Sequence, residues 1–86
     1  MTGPVPDAAE LVQRAAGVVA ATRRGDPGGA EELLSVFPTE QARTLGFYLL
    51  ADLALSLVRA HSGQTMDELV RELSLLVAER AQTPPA

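Results

Sequence analysis

The sequence predicts an all-α fold, a compact bundle of four helices with the third helix as its central hub. Three observations predict this class. Apolar residues recur at helical spacing along most of the chain, no segment alternates with a two-residue period, and β-branched residues are few. Capping residues, glycines and prolines separate the apolar segments. The predicted helices span residues 7–24, 27–37, 40–62 and 66–81.

We expect one helical domain over residues 7–82, preceded by a disordered lead-in over residues 1–6 and followed by a flexible tail over residues 83–86. The lead-in contains two prolines and a glycine, and chain ends of this composition are commonly unstructured. The tail contains Pro84 and Pro85, which cannot continue a helix because proline has no backbone N–H.

The first two helices are defined by their capping residues. Asp7 is a good N-cap for helix one, and Glu10, three residues later, is its expected capping partner. Gly25 favours the end of that helix, because glycine readily adopts the left-handed conformation found there. Asp26 caps helix two, and Pro38 ends it. The apolar stripe of helix one contains Leu11, Val12, Ala15, Val18 and Val19.

Helices three and four are separated by a short loop. Thr39 caps helix three, and Gly63 follows its last turn. Thr65 and Glu68 have the spacing of a capping box, in which the two side chains bond reciprocally to each other's backbone N–H. The apolar stripe of helix four contains Met66, Leu69, Val70, Leu73, Leu76 and Val77.

Helix three carries one narrow polar stripe. At about 100° per residue, the stripe is roughly 80° wide and contains Gln41, Tyr48, Asp52, Ser56 and Arg59. Asp52 is therefore expected to face solvent. The remaining arc of roughly 240° is almost entirely apolar over residues 45–58, whereas an ordinary surface helix needs an apolar stripe of about 100°. Either the other three helices cover this excess, or one flank pairs with a second chain.

The candidate contact residues lie on one flank of helix three. Leu50, Leu53 and Leu57 share a sector of roughly 60°, and Leu75 lies opposite the main stripe of helix four. Exposed apolar patches of this kind mark partner surfaces. Tyr48, Asp52 and Arg59 supply a candidate polar rim. In the alternative, the three leucines of helix three belong to the core of a self-sufficient monomer.

Composition excludes several functions. The chain has 86 residues, a net charge of −4 and no cysteine, and all its cationic side chains are arginines. We expect a cytoplasmic protein with no membrane span, no cofactor and no metal site, since His61 is the only histidine. No serine lies in a nucleophile motif, so catalysis is not expected.

The sequence therefore predicts a non-catalytic protein–protein interaction module, with a homodimer as the expected form. The alternative is a small helix–turn–helix regulator, but no helix carries the basic face that nucleic-acid binding needs. A third class, a small enzyme or ligand-binding bundle, would require a ligand that co-purifies with the protein.

One resemblance covers most of the chain. The segments RRGDPGGAEELLSVF, LGFYLLADLALSLV and MDELVRELSLLVAER are similar to those of small, uncharacterised all-helical hypothetical proteins of GC-rich actinobacteria. Those proteins share a turn and short helix, a long helix rich in leucine and alanine, and a final DELxRELxxL helix. The resemblance implies a small helical fold, and it implies no activity and no site residues.

Overall fold

The computed structural model describes residues 7–82, so the predicted lead-in and tail lie outside the described residues. Four helices follow one another along this part of the chain: α1 (Ala8–Arg23), α2 (Pro27–Ser35), α3 (Glu40–Ser62) and α4 (Met66–Gln82). The all-α class and the four helices are confirmed. The chain divides into an N-terminal unit (Met1–Asp52) and a C-terminal unit (Leu53–Ala86), and the prediction of one domain stays a prediction.

The helices begin where their capping residues predict. Side-chain oxygens of Asp7, Asp26 and Thr39 each accept a hydrogen bond from a backbone N–H two or three residues later, at 2.9–3.2 Å. Such bonds satisfy first-turn donors that have no partner within the helix. Glu10 does not act as expected, because its carboxylate instead pairs with the Arg14 guanidinium at 2.7 Å. An i,i+4 ion pair thus replaces the predicted reciprocal cap of α1.

The N-terminal unit contains an antiparallel α1–α2 pair with a closed apolar core. Gly25 makes the turn between the helices with a φ of 76°, a left-handed conformation that glycine adopts without steric cost. One buried cluster contains Val18, Ala21 and Ala30. A second cluster contains Leu11, Ala15 and Phe37, against which Leu34, Ala42, Phe47 and Leu50 pack.

Gly46 allows α3 to approach the backbone of α1 closely. A Cβ atom at this position would lie 2.8 Å from the carbonyl oxygen of Leu11 and 3.2 Å from the ring of Phe37. The Phe37 ring also lies beside that of Phe47, with 6.1 Å between centroids. Only glycine fits this contact without displacing backbone, and the contact fixes the first part of α3 on the N-terminal core.

The C-terminal unit is a helical hairpin with a well-defined turn. Gly63 follows α3 with a φ of 75°, as predicted for the residue after a helix. The predicted capping box is present: the Thr65 hydroxyl accepts the Glu68 N–H at 3.1 Å, and the Glu68 carboxylate accepts the Thr65 N–H at 2.9 Å. Leu69 is the one buried side chain that the structure describes in this unit. The predicted central helix α3 thus contacts α1 in one unit and α4 in the other.

Candidate protein-binding surface

The polar stripe of α3 is exposed along its whole length. All five residues of the stripe are solvent-accessible: Gln41, Tyr48, Asp52, Ser56 and Arg59. Tyr48 is 64% exposed. Asp52 is therefore a surface charge and does not interrupt a core. The proposed rim residues Tyr48, Asp52 and Arg59 lie where the helical wheel predicts them.

The structure separates the three candidate leucines of α3. Leu50 is half-buried and packs against the cluster of Leu11, Ala15 and Phe37, so it contributes to the N-terminal core. Leu53 and Leu57, by contrast, are 57% and 61% exposed. They continue the wheel sector of Leu50 one and two turns further along α3. Leu50 therefore belongs to the core, as the alternative interpretation expected of all three leucines, whereas Leu53 and Leu57 do not.

Helix α4 is more exposed than its sequence pattern predicts. Leu75, the candidate contact residue of this helix, is 64% exposed. Most of the apolar stripe on the other side of α4 is also accessible, although a stripe of this width predicts a buried face. We use the name C-terminal apolar surface for all the exposed large aliphatic side chains described in this unit, on whichever side of their helix they lie, and its members are Leu53, Leu57, Val58, Val70, Leu73, Leu75, Leu76 and Val77.

A shallow groove lies between the second part of α3 and α4. Its volume is about 220 Å³, and its apolar walls are Leu55, Val58, Leu69, Leu73 and Leu76. Two polar residues, Gln64 and Glu72, complete the lining. The Gln64 amide donates a hydrogen bond to the Glu72 carboxylate at 2.9 Å, a contact that joins the interhelical loop to α4.

Valines and leucines of the α4 stripe are the binding candidates that the sequence analysis missed, because it assigned that stripe to the core. A signal was present in the sequence. In the groove, the second part of α3 contributes Leu55 and Val58, which is little apolar volume against a stripe of six residues. Comparing the apolar volume of facing helix segments, and not only their periodicity, would have identified the surplus on α4.

The capping box of α4 affects the protonation of its carboxyl group. The backbone N–H of Thr65 and then its hydroxyl lower the pKa of Glu68 below its ordinary value, since hydrogen bonds to a carboxylate favour its charged form. Over residues 7–82 there is no cluster of three or more His, Asp or Glu side chains arranged to hold a metal ion. No helix in this range is long and apolar enough to cross a membrane.

The arginines of the N-terminal unit are largely paired with acids. Arg14 bonds to Glu10 at 2.7 Å, and Arg43 lies 3.9 Å from Glu40. Arg24 lies 3.7 Å from the carboxylate of its neighbour in the interhelical turn. Positive and negative charges therefore alternate over this unit. Binding to the phosphate backbone of a nucleic acid requires clustered cations, and these paired arginines do not form such a cluster.

The chain matches no protein-family model, no curated protein and no solved structure. The arrangement of its side chains is therefore the basis on which a function is proposed.

Proposed function

We propose that the protein is a non-catalytic protein–protein interaction module that associates with itself through the apolar flank of α3. The observation that carries this proposal is the exposure of Leu53 and Leu57, each more than half accessible to solvent. Leu75 on α4 adds a third accessible leucine. Leu50, the third leucine of this flank, is partly buried because it packs against the cluster of Leu11, Ala15 and Phe37.

The physical argument rests on the number of exposed aliphatic side chains. Single exposed leucines are normal on protein surfaces, whereas large contiguous apolar patches mark interaction sites. Fully burying one such side chain contributes about 1.5–3 kcal/mol. Covering the exposed parts of Leu53, Leu57 and Leu75 would contribute on the order of 3–5 kcal/mol per copy. Even as an upper estimate, that range reaches the cost of bringing two chains together, about 4–15 kcal/mol.

The polar stripe of α3 supplies the proposed polar rim. Tyr48 presents an amphipathic ring that tolerates both water and apolar contact. Asp52 and Arg59 carry opposite charges on the same stripe, and rim charges of opposite sign govern the orientation of docking more than its affinity. We assign no cofactor to this function, and its proposed setting is the cytoplasm, with which a chain without cysteine is compatible.

The oligomeric state of the full chain tests the proposal. Sedimentation velocity of the unmodified protein over a wide concentration range is expected to show a monomer–dimer equilibrium. Leu53→Asp and Leu57→Asp are expected to shift this equilibrium to the monomer, because each places a charge in an apolar contact.

A matched control uses Val19→Asp, since Val19 is an accessible valine on α1 and the change adds the same charge outside the proposed surface. Circular dichroism of all three variants checks that the helices persist. A protein that remains monomeric at every concentration contradicts the self-association, and so does a Leu57→Asp variant that dimerises as well as the control.

A further inference from the structure

We draw no further inference here: the strongest candidate, the exposed apolar strip of Val70, Leu73 and Val77 along α4, beside the groove between α4 and the second part of α3, carries none because nothing in the structure shows what covers it.

Discussion

Truncation of Leu57 to alanine should weaken association far more than it weakens folding. The change removes three carbon groups, each worth about 0.8 kcal/mol when it is buried. Because Leu57 is 61% exposed in the single chain, covering it in a dimer accounts for about 1.5 kcal/mol per copy and about 3 kcal/mol per dimer. At 1.4 kcal/mol per tenfold change, the dimer Kd should rise about 100-fold. Only the part of the Leu57 side chain that is already buried in the single chain contributes to folding, so the loss in monomer stability should be about 1 kcal/mol.

Two measurements check the Leu57→Ala prediction. Sedimentation equilibrium gives the dimer Kd, and urea denaturation at concentrations below that Kd gives the free energy of unfolding of the monomer. Val19→Ala is the control, because it also shortens an exposed aliphatic side chain outside the C-terminal apolar surface. An unchanged Kd for Leu57→Ala would refute the reasoning. A loss confined to monomer stability would instead assign Leu57 to the core.

Three further predictions concern the N-terminal core, the α4 cap and nucleic acid. Gly46→Ala should lower the free energy of unfolding by about 1–3 kcal/mol, because its Cβ meets the rigid Leu11 carbonyl. Gly17→Ala should raise it by up to about 1 kcal/mol, since only a flexible leucine end must move; thermal denaturation showing equal effects would contradict this. The pKa of Glu68 is lowered, so the charged Glu68 carboxylate stabilises α4. This stabilisation is complete above the ordinary glutamate pKa of ~4.3, and it is lost as the pH falls through the lowered pKa. Circular dichroism should therefore show an acid-induced loss of helix that is smaller in Glu68→Gln, and an equal loss in both would count against the cap. Finally, the chain should not be retained on DNA at ~50 mM salt, and salt-sensitive retention would favour the regulator alternative.

The helix ends could be predicted from the sequence because they depend on short-range chemistry. Asp26, Thr39 and Gly63 act within a few residues of their own positions, so no knowledge of packing is needed. Glu10 shows the limit of this reasoning. Two local partners competed for its carboxylate, and the Arg14 ion pair was favoured over the backbone N–H at the cap.

The distribution of exposure could be predicted only in part. The helical wheel located the polar stripe and the flank of Leu53 and Leu57, because periodicity alone determines which residues share a face. It did not distinguish Leu50 from these two, since that difference depends on where the N-terminal cluster ends along α3. The exposure of the α4 stripe was missed for a related reason: periodicity identifies an apolar face, but it does not report how much material lies opposite.

The capping box at the start of α4 has a kinetic consequence. The first turn is the costly step in forming a helix, because several dihedral angles are fixed before the first hydrogen bond is gained. Thr65 and Glu68 stabilise that turn through bonds within four residues, so its nucleation does not depend on a partner. Once this turn has formed, each further residue adds one hydrogen bond, so α4 extends from it without repeating the costly step.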